Sequence, residues 1–251
     1  MMKKILTLVL ALALAAFALP VSAEEPAPMT KEEFDQAEID TEVCVEAYVQ
    51  ASQAWWEGTM SLYLQNEEGA YFAYNVPMEK DIADQLVPGT KVRIDGYKLM
   101  WPEVDGEVEI CESQHIEILE GEPWIADAKD VTAQFGTDAL AESMNAKIAV
   151  KHAEVIPSYQ KTPTGQEDTS TAYPFLYSRE GGREVNSDLT FNVKVNGKEF
   201  TFFVESYLTD SESDVYKAVE GLQIGDIIDC EGFLYWYYGP NPHITSVTKA
   251  E

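Results

Sequence analysis

Residues that commonly build catalytic and metal sites are scarce in this chain. It has three histidines, His115, His152 and His243, and none has a partner at metal-ligand spacing. The sequence also lacks a CxxC pair, a Gly-x-Ser-x-Gly elbow and a Gly-x-x-x-x-Gly-Lys phosphate loop. Because no motif supplies a nucleophile, a base and an orienting group together, the sequence predicts a protein that is not an enzyme and carries no metal or cofactor.

Cysteines are too few and too widely spaced for a disulfide framework. Cys44, Cys111 and Cys230 allow at most one pair, and the sequence does not show which. Each half of the chain is long enough to bury a core of its own. We therefore expect domains that fold by burial alone.

Basic residues are also scarce. Lys and Arg number 17 against 44 Asp and Glu, a net charge of −27, and residues 24–120 hold 23 acids against five bases. Binding to a nucleic-acid duplex depends on Lys and Arg that replace counterions around the phosphates. This balance argues against double-stranded nucleic acid as a partner, and the simplest interpretation of the acidity is a solvated surface.

The many carboxylates do not select a site. They leave a glycosidase-type acid pair open without marking any two residues. Asp210, Glu212 and Asp214 form the tightest alternating cluster, which leaves a calcium site open. The cluster lacks the glycine and the distal glutamate of an EF-hand loop. A helix start, where acidic residues favour the positive end of the helix dipole, is the preferred interpretation.

An apolar N-terminal segment predicts export. Lys3 and Lys4 precede the apolar run 5–19, and small residues stand at the −3 and −1 positions of a cut after Ala23. The run is short for a membrane span, and no cysteine follows the cut to carry a lipid. We predict a signal peptide over residues 1–23, secretion, and no membrane span after cleavage. The segment holds two lysines and no acids, so the mature chain has a net charge of −29.

Internal similarity is the most informative feature of the sequence. Residues 81–97 and 214–233 each read as a short amphipathic helix, a glycine-bearing turn and a strand that alternates apolar with polar residues. Two glycine pairs recur 136 residues apart: Gly89 with Gly225, and Gly96 with Gly232. The chain therefore contains two copies of one structural unit.

Three strands precede this segment in each copy. The segments that alternate at period two are 41–49, 59–65 and 70–76 in the first copy, and 146–150, 188–195 and 199–207 in the second. Asn196-Gly197 between two such segments is a strong hairpin signal. Each copy then reads strand, strand, strand, helix, strand, strand, which is the order of an OB barrel. The predicted fold is mainly β, with two tandem OB-like five-stranded barrels, each with a short helix between strands 3 and 4.

The remaining segments set the expected domain limits. The first barrel takes residues 24–120, with an N-terminal helix from the capping box at Thr30 to about Ile39. A linker over 121–145 holds one short helix capped by Thr137, and the second barrel takes 146–251. An insertion at about 157–187 is expected to form a mobile loop with an extra strand at 172–177.

Five short segments point to a known group of proteins: AYVQA at 47–51, GAYF at 69–72, LVPGTK at 86–91, DVYKAV at 214–219 and GFLYW at 232–236. In these segments the chain resembles tandem OB-fold proteins that anaerobic Gram-positive bacteria export. The resemblance extends over nearly the whole mature chain. It implies a fold and a compartment but no activity.

Aromatic side chains give the candidate site. Strand alternation assigns to the interior of the first barrel Val43, Val45, Ala47, Val49, Leu62, Leu64, Phe72, Tyr74 and Val76. The outer face then carries Tyr48, Tyr63 and Tyr71, one from each of the first three strands. Trp55 and Trp56 fall in the loop between strands 1 and 2, and Trp101 in the loop between strands 4 and 5. In the second copy, Trp236 and Tyr238 fall in the equivalent last loop.

These eight aromatic residues are the predicted ligand-binding set, because the outer face of an OB barrel and its edge loops bind oligonucleotides and oligosaccharides. The alternative is that they pack the barrel ends, the linker or the interface between barrels. The preferred function is non-catalytic binding of a glycan or peptide rather than a polyanion. The alternatives are single-stranded nucleic-acid binding and a structural or protein-interaction role at a cell surface.

Overall fold

The fold is mainly β and contains few helices. The computed structural model describes residues 27–177 and 187–250, and the predicted signal peptide lies outside this part. The α-helices are α1 (Lys31–Gln36), α2 (Lys80–Ala83) and α3 (Asp214–Glu220), and 3-10 helices span Thr132–Gln134 and Asp138–Ser143. The strands are β1 (Glu42–Ser52), β2 (Thr59–Gln65), β3 (Ala70–Pro77), β4 (Lys91–Trp101), β5 (Glu107–Cys111), β6 (Ile116–Ile118), β7 (Lys129–Asp130), β8 (Lys147–Ile156), β9 (Leu189–Val195), β10 (Lys198–Val204), β11 (Ile227–Phe233) and β12 (His243–Lys249).

The strands form two closed five-stranded barrels in tandem. The first has the order β1-β2-β3-β5-β4 and closes by antiparallel pairing of β4 with β1, while β6 extends the sheet beside β4. The second has the order β8-β9-β10-β12-β11 and closes between β11 and β8, with β7 beside β8. In both, the third strand pairs in parallel with the fifth, and a short helix precedes the fourth. The predicted OB topology is confirmed.

Two of the repeated glycines lie where the fourth strand of each barrel crosses closest to the fifth. A Cβ atom at Gly96 would lie 2.6 Å from the carbonyl oxygen of Cys111. At Gly232 the equivalent distance, to the carbonyl oxygen of His243, is 2.2 Å. Both separations are shorter than a carbon–oxygen contact allows, so the close crossing requires glycine.

Gly96→Ala and Gly232→Ala are each expected to lower the free energy of unfolding by about 1–3 kcal/mol, because the added methyl group must displace backbone. Gly121→Ala is the matched control, since its Cβ would make an ordinary 3.5 Å contact with the Lys91 side chain. Urea denaturation followed by tryptophan fluorescence measures all three. Equal midpoints for the three variants would contradict the close crossing.

Both predicted short helices are present, α1 at one end of the first barrel and a 3-10 helix over Asp138–Ser143 in the linker, but the predicted cap of the second is absent. Helix α1 begins at the predicted capping box: Thr30 Oγ1 accepts the Glu33 N–H at 3.2 Å, and the Glu33 carboxylate accepts the Thr30 N–H at 2.8 Å. The helix ends at Gln36, before the expected Ile39. In the linker Thr137 makes no cap, because its hydroxyl donates to the Gln134 carbonyl at 2.7 Å and closes the preceding turn.

The inward and outward faces of β3 are the reverse of those predicted over its first half. Tyr71 is buried in the core of the first barrel, edge-on to Phe34 at 5.0 Å, whereas Phe72 lies outside the barrel and Tyr74 is exposed. The pairing of β2 with β3 shifts register where Asn75 adopts a φ of +48°. This bulge shifts the alternation of inward and outward residues by one position. The inward positions assigned to Phe72 and Tyr74 by alternation from Val76 are therefore wrong.

The two barrels pack through the outer face of β2 and β3. Tyr63 and Phe72 on this face contact Phe233 of the second barrel, and all three rings are buried. Tyr63 stacks on Phe233 with ring centroids 4.4 Å apart, and its hydroxyl lies 2.8 Å from Nδ1 of His243. The outer position predicted for Tyr63 is correct, but a barrel rather than solvent covers it.

The three cysteines all lie within the described residues and form no disulfide. Each is buried, and burial raises the pKa of the Cys111 and Cys230 thiols. The barrels therefore close by packing and hydrogen bonding alone. Within the described part of the chain, no helix is both long enough and apolar enough to cross a membrane.

Candidate binding cleft on the second barrel

The two barrels use equivalent faces differently. In OB folds, the outer face of strands 2 and 3 binds ligands together with the loops that follow strands 1 and 4. In the first barrel this face is the interface just described. In the second barrel the same face, on β9 and β10, lines an open cleft of about 540 Å³.

Polar side chains on β9 and β10 form the floor of the cleft. Phe191, Val193 and Phe202 point into the barrel core, so the intervening residues point outward. Three cross-strand pairs share this outer face: Thr190 with Phe203, Asn192 with Thr201, and Lys194 with Glu199. Thr201 Oγ1 donates to Asn192 Oδ1 at 2.8 Å, which fixes two of these side chains.

One wall of the cleft is the insertion after β8. The Asn192 N–H donates to Ser158 Oγ at 3.3 Å, and Leu176 exchanges two backbone hydrogen bonds with Thr190, at 2.7 and 2.8 Å. The predicted strand at 172–177 is present only as isolated bridges, of which Ser158 with Tyr173 is one. The described part of the insertion is thus fastened to β9 at two points, while residues 178–186 lie outside the described residues.

The other wall is the loop between β11 and β12, which contributes Tyr237, Tyr238 and Asn241. The corresponding loop of the first barrel supports it. The Tyr238 N–H donates to the Asp105 carbonyl at 2.9 Å, and Trp236 Nε1 donates to Asp105 Oδ1 at 2.8 Å. The first barrel therefore helps to position the aromatic wall of the second.

The lining combines aromatic rings with neutral hydrogen-bonding groups. The aromatic residues are Tyr159, Phe200, Phe203, Tyr237 and Tyr238. The hydroxyl and amide residues are Ser158, Thr190, Asn192, Thr201 and Asn241. The charged residues are Lys161, Glu167 and Glu199, so acidic groups outnumber basic ones.

Asn241 carries an unsatisfied acceptor into this lining. Its side chain is only 5% exposed, and Oδ1 has no hydrogen-bond partner among the described residues. A buried acceptor without a donor costs about 1–3 kcal/mol. Oδ1 itself is covered in the free protein, so a ligand hydroxyl or amide recovers that cost only when the Asn241 side chain turns toward the cleft.

The structure scatters the eight aromatic residues that the sequence predicts as a ligand-binding set. Tyr238 lines the cleft and is 63% exposed, and Trp236 packs against the core of the second barrel beside it. The other six residues lie elsewhere. Tyr63 lies in the interface, and Tyr48 packs against Trp124 at 5.5 Å. Trp56 is exposed on a loop, Trp101 is exposed beside the gap between barrels, and Trp55 packs on the first core with Nε1 donating to the Met78 carbonyl. Tyr71 lies in the first core, where burial raises its pKa to about 12.

Sequence reasoning missed the floor of the cleft. The predicted strands at 188–195 and 199–207 correspond to β9 and β10, and alternation along them identifies Asn192, Thr201 and Phe203 as outward residues. The outward-face rule applied above to the first barrel therefore also predicts these three residues. Asn241 left no such signal, because its burial depends on how the last loop folds over β10.

The acidic cluster at the start of α3 has a structural role. Asp210 accepts the Glu212 N–H at 2.9 Å, and Glu212 pairs with Lys217 at 3.1 Å. Ser213 caps the helix through the Tyr216 N–H. Among the described residues, no group of three His, Cys, Asp or Glu side chains is arranged to hold a metal ion.

Comparisons with known proteins bear on the fold alone. No protein-family model and no curated protein matches the chain. Among solved structures, a murine DNA-binding protein bound with double-stranded DNA aligns at 11% identity over 83% of this chain and 96% of its own, with a TM-score of 0.35. The Ifi202 HINa domain in complex with 20-bp double-stranded DNA aligns at 11% identity over 84% of this chain and 98% of its own, with a TM-score of 0.35. A replication protein A heterotrimer bound to single-stranded DNA aligns at 9% identity over 86% of this chain and 51% of its own, with a TM-score of 0.32. TM-scores of this size carry no inference from those ligands to this chain.

Proposed function

We propose that the chain is a secreted, non-catalytic binding protein that holds a neutral oligosaccharide in the cleft of its second barrel. The observation that carries the proposal is the lining itself. Exposed tyrosine rings stand above a row of hydroxyl and amide groups, among them the amide of Asn241, whose Oδ1 has no partner among the described residues. Sugars present apolar ring faces and many hydroxyl donors, which match these two features.

Charge supports a neutral ligand over a polyanion. The lining holds one lysine against two glutamates, and residues 146–251 hold 16 acids against nine bases. A phosphate chain in this cleft would meet little compensating positive charge.

The test is a binding screen of the purified protein against neutral tetrasaccharides of different linkage, by isothermal titration calorimetry. Tyr238→Ala and Asn241→Ala are each expected to weaken binding of the sugar found by about tenfold or more, because the first removes a stacking face and the second an acceptor. Tyr207→Ala is the matched control: this tyrosine is 62% exposed and lies outside the cleft lining. No binding of any neutral sugar, or equal loss in the control, would refute the proposal.

A short single-stranded nucleic acid is the second candidate. The observation that favours it is the position of two lysine side chains. Lys161 lies in the cleft lining, and Lys194 lies on the outer face of β9 that forms the floor. Tyr237 and Tyr238 could stack on unpaired bases as well as on sugars. Because the same rings would serve both ligands, sugars and oligonucleotides belong in one experiment.

An oligothymidine of 12 residues, titrated at 50 and 200 mM salt, separates the two candidates. A nucleic-acid site predicts binding that weakens steeply with salt and is lost in Lys161→Ala. A sugar site predicts no binding of the oligonucleotide at either salt concentration and little salt dependence of sugar binding. Salt-sensitive binding of the oligonucleotide, with no sugar bound, would replace the first candidate by the second.

A further inference from the structure

A second hollow lies between the barrels and shares no lining residue with the cleft. It has a volume of about 580 Å³ and is bounded by the outer face of β3, β4 and β5 and by the start of the last loop of the second barrel. Its lining residues include Tyr74, Trp101, Glu109, Glu112 and Tyr235. None of the described lining residues is a lysine, an arginine or a histidine.

Three aromatic rings from both barrels line the hollow. Trp101 ends β4 and is 60% exposed, and Tyr74 on β3 is 45% exposed. Tyr235 comes from the second barrel and lies edge-on to Phe72, with ring centroids 5.5 Å apart. Tyr235 also stacks on His243, with ring centroids 4.6 Å apart, so one of its faces is covered. The two exposed rings and the remaining face of Tyr235 offer π faces to one ligand group.

The floor carries a carboxylate in apolar surroundings. Glu109 is paired across the sheet with Leu99 on one side and Phe72 on the other, and it is only 5% exposed. Its hydrogen-bond donor in the described structure is the Cys111 thiol, at 3.2 Å, which is a weak donor. Burial raises the pKa of Glu109, so the charged form lacks the stabilisation that a nearby cation would supply.

We propose that this hollow binds an organic ammonium group, with Tyr74, Trp101 and Tyr235 around the cation and Glu109 beneath it. Cations bind favourably over the faces of tryptophan and tyrosine, and the attraction grows when the site is desolvated. A buried carboxylate without a basic neighbour adds the opposite charge. Glu112, exposed at the rim, adds a second.

The ammonium group could belong to a methylated amine or to a lysine side chain, and the chemistry of the hollow is the same for both. Choline and Nα-acetyl-lysine-N-methylamide are the two probes. The control ligand is 3,3-dimethylbutan-1-ol, which has the shape of choline without its charge. Binding is followed by calorimetry and by the change in tryptophan fluorescence.

Glu109→Gln and Trp101→Ala are expected to weaken binding of the preferred cation at least tenfold. Trp56→Ala is the control, since Trp56 is 67% exposed and lies outside the hollow. Glu109→Gln preserves shape and removes a buried ionisable group, so a melting temperature at or above that of the unchanged protein shows that it folds. The proposal is overturned if neither cation binds, if the neutral alcohol binds as well, or if Glu109→Gln leaves binding unchanged. Because the two sites are separate, failure of sugar binding in the cleft leaves this test intact.

Discussion

Tyr63→Ala is expected to lower the free energy of unfolding by about 3–5 kcal/mol, which is the cost of deleting a large buried ring. The ring is fully buried between the barrels, stacked on Phe233 at 4.4 Å and tilted against Phe72 at 4.8 Å. Its removal leaves a cavity lined by rings from both barrels. Urea denaturation of the purified protein measures the loss.

Two other substitutions make this prediction specific. Tyr63→Phe removes only the hydroxyl that bonds to His243, and should cost about 1 kcal/mol. Trp56→Ala removes an exposed ring of the first barrel and should change stability by less than about 0.5 kcal/mol. If Tyr63→Ala behaves like Trp56→Ala, the face of β2 and β3 is a free surface and the packing described above is wrong.

Glu107→Gln is expected to make the protein more stable at pH 8 and to flatten its stability between pH 5 and 8. Glu107 is fully buried between the barrels, where Oε2 accepts the Trp236 N–H at 2.6 Å and Oε1 has no partner among the described residues. Burial raises its pKa well above the ordinary value of 4.5, and burial also raises the pKa of Glu109.

The sign of the pH effect follows from these shifts. The folded protein holds the two protons more tightly than the unfolded chain does, so their stabilising contribution is complete below about pH 4.5 and is lost as pH rises through the higher folded pKa values. The carboxyl groups of Glu46 and Asp229 have lowered pKa values in the folded protein. Their stabilising contribution is therefore lost only in acid, below their ordinary pKa values of 4.5 and 3.8, and does not affect the interval between pH 5 and 8. Glutamine keeps an acceptor for Trp236 and cannot ionise, which we expect to gain about 1–3 kcal/mol at pH 8.

Denaturant titrations at pH 5, 6, 7 and 8 give the free energy of unfolding as a function of pH for the unchanged protein and for Glu107→Gln. The exposed Glu67→Gln serves as control, because it removes a carboxylate without changing the interface. We expect stability of the unchanged protein to fall over this interval and that of Glu107→Gln to fall less. A stability that rises with pH, or parallel curves for the two proteins, would contradict the burial of a carboxyl group in the interface.

Local pattern was sufficient to predict the barrels. The alternating segments form the strands, because each strand buries one of its faces. The Asn196-Gly197 turn and the pair Gly89 and Gly225 lie in turns with positive φ. The pair Gly96 and Gly232 lies at the close crossings of the fourth and fifth strands. These features depend on residues close together in sequence and on the order of strands and helix in an OB barrel. They do not depend on the interface between the two barrels.

The site could be predicted only in part, for two physical reasons. An outward ring such as Tyr63 has the same sequence pattern whether a ligand or a second domain covers it, because both leave an apolar residue on the outer face. The bulge at Asn75 is also hidden, since an asparagine can take a positive φ without the glycine that would signal it. Both concern the first barrel, which supplies six of the eight predicted residues, whereas the open outer face of the structure lies on the second barrel.

The two copies of one fold differ in what covers the outer face of their second and third strands. In the first barrel this face is buried in the interface, and Asp105 of the same barrel supports the last loop of the second barrel. The second keeps its face open and adds an insertion as one wall.

Hydrogen–deuterium exchange with and without the bound ligand tests this account most directly. We predict that saturating ligand slows exchange in the walls and floor of the cleft, over residues 158–176, 190–203 and 236–242, and leaves residues 59–77 of the first barrel unchanged. Residues 59–77 should already exchange slowly in the free protein, because the second barrel covers them. Ligand-induced protection confined to residues 59–77, with the cleft unaffected, would show that the first barrel carries the site and would contradict the account.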